Sequence, residues 1–350
     1  MTVRAHAVKH ASGPTELHEY EPRPLGPLEV DVTVTHSGIC HTDLGIIDDH
    51  HGYARFPLVA GHEAIGVVSA IGSAVDPQLL PIGQRVGVGA IAGSCSRCEW
   101  CLTGSQHLCP DRDDTVLRGM GGTFASQVRA SDWRHVPSIP DALESQEAGP
   151  LLCAGTTVFN VVVEHGVRPT DRVAVVGIGG LGHLALQILA AWGCHVTAIS
   201  TSDDKADDAL RFGAHAFRNA RELPRVRDEF DFVLDTVGAD LPWDDYFAAL
   251  RPRGKLCVVG FPASPFTISP ISVLPAEKSL VSAVVGPPVV TRRLLDFAAL
   301  HDIRAEVEVF PAERIDDALD HVRNGRARYR AVVDFTMSGW TPARLRRSTP

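Results

Sequence analysis

The chain has 350 residues, of which 45% are hydrophobic and 21% are charged, and its formal net charge is −9. This length allows two domains, and the composition is that of a folded globular protein rather than a disordered one. The acidic balance disfavours a nucleic-acid partner, because phosphate binding needs a surplus of Lys and Arg.

The first half of the chain predicts an irregular β-rich region followed by a loop. Residues 1–10 hold no apolar run, so we expect no signal peptide and a cytoplasmic protein. Residues 1–90 are rich in Val, Gly and Pro, with short alternating runs such as 30–34, which favours short strands. Residues 91–122 have the composition of a loop, and a helical run over 144–155 leads out of this region.

The loop carries a cluster of four cysteines, Cys95, Cys98, Cys101 and Cys109. Four thiolates at this spacing are typical of a closed tetrahedral zinc site. An iron–sulfur cluster is the rival interpretation, since Pro110 follows Cys109 as in bacterial ferredoxins. The two-cluster ferredoxins use two cooperating Cys runs, however, and this chain has one. Four free thiols are the third possibility, which this spacing disfavours.

From residue 171 onward, strands and helices alternate. Apolar runs at 173–176, 196–199, 232–234 and 256–259 predict buried parallel strands in a doubly wound α/β sheet. The uncharged stretch 173–199 is long enough to span a membrane, but its five glycines and Gln187 favour strand, turn, helix and strand instead. Residues 291–335 predict two amphipathic helices and a strand at 331–335, and residues 338–350 predict a polar tail.

The turn after the first of these strands is Gly177-Ile178-Gly179-Gly180-Leu181-Gly182. The pattern is weak alone, but between a strand and a helix it indicates dinucleotide binding. The first glycine allows the tight turn, Gly179 lets the backbone approach a pyrophosphate, and Gly182 lets helix and strand pack closely. A glycine-rich turn without a ligand is the alternative.

Three short segments far apart in the chain carry chemically reactive residues, and no motif or spacing rule links them. They are Gly38-Ile39-Cys40-His41-Thr42-Asp43, Gly61-His62-Glu63 and Leu151-Leu152-Cys153-Ala154-Gly155. A lone Cys or His is more often a core or structural residue. Together, however, the segments resemble the zinc alcohol dehydrogenases of the medium-chain dehydrogenase/reductase superfamily, over the chain up to about residue 335. The sequences at 38–44 and 151–157, with Arg328-Tyr329-Arg330, are most similar to its cinnamyl-alcohol-dehydrogenase-like branch.

The resemblance implies a catalytic zinc bound by Cys40, His62 and Cys153, the Cys₂His set known for alcohol dehydrogenase, with a fourth position open to water or substrate. It implies that Asp43 holds His62 and that Glu63 lies beside the metal. It also implies that Thr42 passes the proton of the substrate hydroxyl. The cofactor contacts that it implies are Thr157 at the nicotinamide, with His41 and Arg330 near the pyrophosphate.

One position departs from the family pattern. Many relatives carry a His three residues after the Thr of the proton relay, and this chain has Gly45 there. His50, His51 or water is left to take that role.

The resemblance also implies the architecture. We expect a β-rich, GroES-like catalytic domain formed by residues 1–153 and 287–350, with both zinc sites, and a Rossmann dinucleotide-binding domain over 154–286. The segment 280–285 resembles the edge strand through which family members pair, which predicts a homodimer.

The end of the second parallel strand bears on the cofactor. In NAD enzymes of this fold an acidic residue there bonds the ribose 2′-hydroxyl. Here that position is Ser200, followed by Thr201, Ser202 and Lys205. Hydroxyl donors and a cation favour the 2′-phosphate of NADP(H), and the cinnamyl-alcohol-dehydrogenase-like branch uses a similar loop. We expect Asp203 and Asp204 to cap the next helix.

The sequence therefore predicts a zinc-dependent, NADP(H)-using alcohol dehydrogenase or aldehyde reductase that acts on a small molecule. Two other classes stay open. One is a reductase of activated C=C or C=N bonds on the same scaffold, which the complete ligand set and Thr42 disfavour. The other is a non-enzymatic zinc- or nucleotide-binding protein.

Overall fold

A computed structural model describes residues 2–337, 339 and 340, so most of the predicted tail at 338–350 lies outside the described residues. The chain divides into two compact units. Unit 1 comprises Met1–Cys153, Pro287–Ala299 and Arg304–Pro350, and unit 2 comprises Ala154–Gly286 and Leu300–Ile303.

The strands are, in chain order, β1 (Val3–Val8), β2 (Thr15–Tyr20), β3 (Val30–Ile39), β4 (Leu58–Val59), β5 (Ala64–Ile71), β6 (Arg85–Val88), β7 (Ile91–Gly93), β8 (Asp113–Asp114), β9 (Gln127–Ala130), β10 (Arg172–Val176), β11 (His195–Ser200), β12 (Ala216–Asn219), β13 (Phe230–Asp235), β14 (Leu250–Val258), β15 (Ser279–Ser282), β16 (Val307–Pro311) and β17 (Arg330–Asp334).

The α-helices are α1 (His41–Ile47), α2 (Glu99–Leu102), α3 (Ser145–Pro150), α4 (Thr156–Glu164), α5 (Gly182–Trp192), α6 (Ala206–Arg211), α7 (Trp243–Ala249), α8 (Pro270–Val273), α9 (Pro288–His301) and α10 (Ile315–Arg323). A π-helical turn at Leu151–Gly155 joins α3 to α4.

Unit 1 is built around a mainly antiparallel sheet with the strand order β16-β17-β3-β5-β6, to which β9 adds by pairing with β3. The alternating run at 30–34 forms the start of β3, but Asp31 and Thr33 are buried as well as the valines. Asp31 tolerates burial because Arg129, on the neighbouring β9, donates two hydrogen bonds to its carboxylate. The core of the unit is mainly aliphatic, with Ile47 fully buried, and the buried aromatic ring of Phe124 also belongs to it.

Unit 2 contains a six-stranded parallel sheet with the order β12-β11-β10-β13-β14-β15. This order reverses direction between β10 and β13, which is the arrangement of a doubly wound Rossmann sheet. The four predicted buried strands are β10, β11, β13 and β14, so the predicted α/β fold class is confirmed. The expected edge strand is shorter than the segment 280–285, because β15 ends at Ser282.

The uncharged stretch that could have suggested a membrane span divides into β10, α5 and β11. Within the part of the chain that the structure describes, no helix is both long enough and apolar enough to cross a bilayer.

Candidate functional site

A group of potential metal ligands lies inside unit 1. Cys40 lies between β3 and α1, His62 and Glu63 precede β5, and Cys153 lies in the π-helical turn. One ligand atom from each of the four lies within 4.8 Å of the others, and His62 Nε2 is 3.2 Å from Cys153 Sγ. Residues that are far apart in the sequence thus converge on one point, and two thiols with an imidazole are a donor set that fits zinc.

Asp43 organises two of these ligands. Its carboxylate is fully buried and accepts hydrogen bonds from His62 Nδ1 at 2.7 Å, from the Cys40 backbone N–H at 2.9 Å and from the Gly61 backbone N–H at 3.0 Å. The bond to Cys40 completes a capping box at the start of α1. The local sequence Cys-His-Thr-Asp therefore both starts the helix and places the Asp43 carboxylate beside Cys40. The bond to His62 holds the proton on Nδ1 and leaves Nε2 facing the cluster.

Glu63 forms a buried ion pair with Arg330 of β17. Burial raises the pKa of Glu63, although the Arg330 guanidinium opposes this. The Oε2 atom of Glu63 has no hydrogen-bond partner and faces Gly38, where a Cβ would lie only 2.0 Å from it. Gly38, which the sequence did not single out for this purpose, therefore makes room for the Glu63 carboxylate beside the other potential ligands.

The two thiols of the group do not behave alike. The Cys153 thiol, as a hydrogen-bond partner, lowers the pKa of Cys40 well below its ordinary value, whereas the same contact raises the pKa of Cys153. The two thiols therefore differ in how readily they lose a proton. Such a pair prefers a cation that replaces the remaining proton.

Three further residues of the predicted site lie on α1 or just after it. Thr42 is exposed, and its Oγ1 lies 3.7 Å from Cys40 Sγ. His41, the first residue of α1, is exposed as well. A Cβ built on Gly45 would lie 3.8 Å from the Nδ1 atom of His50, so the imidazole of His50 stands next to the space that a side chain at position 45 would enter.

The four clustered cysteines come together in the same way. The sulfurs of Cys95, Cys98, Cys101 and Cys109 all lie within 4.8 Å of one another. Backbone hydrogen bonds from Arg97 and Cys98 lower the pKa of the Cys95 thiol to about 6, which favours the thiolate form that a metal needs. These separations suit four ligands of a single ion, because a cluster of several irons holds its thiolates on different metal atoms.

In unit 2 the glycine turn has the geometry that dinucleotide binding requires. Gly177 has a φ of +89°, and a Cβ on Gly182 would lie 1.9 Å from the Gly177 carbonyl oxygen, so neither position accepts a side chain. A Cβ on Gly179 would meet nothing within 4 Å. The backbone at Gly179 therefore faces open space, which fits the approach of a phosphate group.

The loop after β11 also lies against this turn. Ser200 is buried at the end of β11, and the Lys205 ammonium group donates to the Ile178 carbonyl oxygen at 2.9 Å. The expected capping by the two aspartates is wrong for Asp203, whose carboxylate accepts a hydrogen bond from the Asn219 side chain at 2.7 Å. Asp204 accepts a hydrogen bond from the Ser202 hydroxyl. The Asn219 amide therefore takes the place of the helix N–H groups as the partner of Asp203.

Two residues assigned to the cofactor by resemblance have different settings. Thr157 is largely buried on α4 of unit 2. Arg330 belongs to unit 1, where its side chain is enclosed and paired with Glu63.

Comparisons with known proteins find alcohol dehydrogenases and aldehyde reductases. Two family profiles match the chain, "Alcohol dehydrogenase GroES-like domain" over residues 26–141 and "Zinc-binding dehydrogenase" over residues 180–299. The aldehyde reductase AdhA of Synechocystis sp. is 38% identical over 95% of this chain and 99% of its own length. The NADP-dependent alcohol dehydrogenase C 1 of Mycolicibacterium smegmatis is 35% identical over 95% of this chain and 98% of its own.

A solved structure is similar over nearly the whole length of the chain. The cinnamyl alcohol dehydrogenase SbCAD4 from Sorghum bicolor superposes with a TM-score of 0.90 at 34% identity, and the match covers 95% of this chain and 98% of that one.

Proposed function

The chain belongs to the zinc-binding, GroES-like alcohol dehydrogenases, and from this premise we propose that it interconverts an alcohol and its aldehyde or ketone with NADP(H) and two zinc ions per subunit. The observation that carries the proposal is the convergence of Cys40, His62 and Cys153 on one point, with Asp43 fixing the imidazole. Related proteins named as an aldehyde reductase and as NADP-dependent alcohol dehydrogenases support it.

We propose that Cys40, His62 and Cys153 hold the catalytic zinc and that the four clustered cysteines hold a structural one. When bound, the catalytic zinc supplies a Lewis acid that polarises a carbonyl group and lowers the pKa of an alcohol. Asp43 orients His62 for this task, and Glu63 places an unpartnered oxygen beside the ligands. The Arg330 guanidinium balances the charge of Glu63, so that the carboxylate remains in a buried position.

We assign to Thr42 the transfer of the proton that the alcohol hydroxyl loses or gains in the reaction. Its exposed hydroxyl lies next to Cys40, where it can accept a proton from an alcohol substrate and pass it on to water or to a neighbouring base. In the reverse direction the same hydroxyl donates the proton to the product oxygen. His50 is the neighbouring base that the structure favours, because it lies beside Gly45.

The dinucleotide supplies or accepts the hydride when it is bound. We propose that unit 2 binds it and that unit 1 is the catalytic domain. The residues assigned to the phosphates are Gly177, Gly179, Gly180, Leu181 and Gly182, with His41 and Arg330 as further candidates. Thr157 is assigned to the nicotinamide. The residues assigned to the 2′-phosphate are Ser200, Thr201, Ser202 and Lys205, since they offer hydroxyl donors and a positive charge.

We also propose a homodimer in the cytoplasm. The outer edge of β15 pairs with no strand among the described residues, and Leu280 on it is 39% exposed. Two such edges can join into one continuous sheet. The eight cysteines are free thiols, as expected for metal-binding cysteines in a reducing compartment. Sedimentation of the purified protein at several concentrations measures the assembly.

The decisive experiment uses an α,β-unsaturated aldehyde with NADPH or NADH and identifies the product. We expect reduction of the carbonyl group to an alcohol with the C=C bond retained. A saturated aldehyde would assign the chain to the C=C reductases of the same scaffold. No oxidation of cofactor across a panel of aldehydes and imines would instead indicate a non-enzymatic binding protein.

A further inference from the structure

The first observation concerns the side chain of Asn219, which is fixed at both ends. Asn219 ends β12, and in the parallel pairing of β11 with β12 it lies directly opposite Ser200. Its Oδ1 accepts a hydrogen bond from the Arg221 backbone N–H at 3.0 Å and so caps the 3₁₀ turn Ala220–Arg225. This contact leaves the Nδ2 group pointing at Asp203, to which it donates at 2.7 Å.

The second observation is that Lys205 and Asp203, two oppositely charged residues of the same loop, are held on opposite sides of β11. Lys205 donates to the Ile178 carbonyl oxygen in the glycine turn, which follows β10. Asp203 is held by Asn219, which follows β12. Since β11 lies between β10 and β12, the cation is drawn toward the glycine turn and the carboxylate toward the far side.

The charge of Asp203 matters because of its position. It is exposed and lies three residues beyond Ser200, inside the loop proposed to receive the 2′-phosphate. A carboxylate that could swing freely there would repel a phosphate dianion. At about 4 Å two unit charges repel each other by about 1 kcal/mol even in water, which is a factor of roughly five in affinity.

We propose that Asn219 is a specificity-determining positioning residue. By holding the Asp203 carboxylate at the β12 side of the loop, it allows an otherwise acidic loop to accept the 2′-phosphate of NADP(H). This inference rests on the proposed use of NADP(H). It predicts that the contact affects the binding of NADPH and leaves the binding of NADH unchanged, because NADH carries a 2′-hydroxyl in place of the phosphate.

The test is a double-mutant cycle on Asn219→Ser and Asp203→Asn, with dissociation constants of NADPH and NADH measured by fluorescence titration. Serine still accepts the Arg221 N–H as a helix cap but is too short to reach Asp203. We expect Asn219→Ser to weaken NADPH roughly three- to tenfold and NADH less than twofold. The loss should shrink at high salt, since it arises from exposed charges.

In the Asp203→Asn background, which removes the charge and keeps the shape, Asn219→Ser should have no effect on NADPH. An equal loss for both cofactors, or a loss that persists in the Asp203→Asn background, would overturn the inference and leave Asn219 with a purely structural role. The wild-type ratio of the two affinities tests the proposed cofactor separately. A wild type that prefers NADH would contradict that proposal, while the cycle would still report on the Asn219 contact.

Discussion

Replacing Asp43 by Asn tests whether this carboxylate organises the metal site. The substitution keeps the shape but turns one acceptor oxygen into an NH₂ group. The Oδ1 atom accepts two hydrogen bonds, from His62 and Gly61, and Oδ2 accepts one, from the Cys40 backbone. The best orientation of the amide therefore keeps its oxygen at the Oδ1 position and points the NH₂ group at the Cys40 N–H.

The expected cost follows from this geometry. A buried donor is left without an acceptor, which costs about 1–3 kcal/mol, and the remaining bonds lose the strength that a charged acceptor gives them. We therefore expect Asp43→Asn to lower the free energy of unfolding by about 2–4 kcal/mol. The imidazole also loses the partner that fixes its tautomer, and contacts of this kind typically contribute 10–100-fold to metal affinity.

The assay combines urea unfolding with zinc retention under competition by a chelator. Asp48→Asn is the matched control, since Asp48 follows the same helix and bonds to Arg323 and Ser12 near the surface. That variant should lose less than about 1 kcal/mol and keep its zinc. Unchanged zinc affinity and stability in Asp43→Asn would refute the role that we assign to Asp43.

Four other outcomes are expected. Elemental analysis should find two zinc ions per subunit, and Cys98→Ser should lose one and lower the melting temperature, because a closed site contributes folding energy; iron in the preparation would contradict this. Ser200→Asp should shift the ratio of kcat/KM values toward NAD, and an unchanged ratio would exclude this loop from the choice. His50→Gln should slow alcohol oxidation, and added imidazole buffer should restore the rate. His51→Gln should leave the rate unchanged. Equal rates in the two variants would indicate a relay through water. Burial raises the pKa of Asp235 to about 7, so the folded state holds its proton more tightly than the unfolded chain and stability falls as pH rises from about 4 to 7. Asp235→Asn keeps the hydrogen bond from the Val237 N–H and should remove this loss of stability, which amounts to up to about 4 kcal/mol at pH 8. Urea unfolding midpoints of wild type and variant at pH 5 and 8 measure the effect. The same pH dependence in both proteins would contradict it.

The periodic parts of the fold could be predicted from the sequence because they bury continuous apolar runs. The strands β10, β11, β13 and β14 are such runs, and the glycine turn between strand and helix is a local pattern. The strand β12 has no such signal. Its four residues are only half-buried, so their strand conformation depends on pairing with β11, which is a tertiary effect.

The proposed set of catalytic zinc ligands shows a different limit of prediction from sequence. Cys40, His62 and Cys153 have no spacing that links them, and only resemblance to a family joined them. The structure explains what their local sequences do, since the capping box of α1 places Asp43 between Cys40 and His62. A chain that forms this helix therefore also positions two of the three proposed zinc ligands.

The loop after β11 shows why charge counting along a sequence misjudges a cofactor site. The negative charges of Asp203 and Asp204 disfavour a bound phosphate when the loop sequence is considered alone, and helix capping is the expected way to offset them. The partner that holds Asp203 comes instead from Asn219, the residue that pairs with Ser200 across two parallel strands. Residues at the carboxyl ends of adjacent strands meet at one edge of the sheet, wherever they lie in the chain. On the proposal made above, the strand-end residues of β11 and β12 together set the cofactor choice of this chain, and substitutions at Ser200 should be interpreted with Asn219 and Asp203 in view.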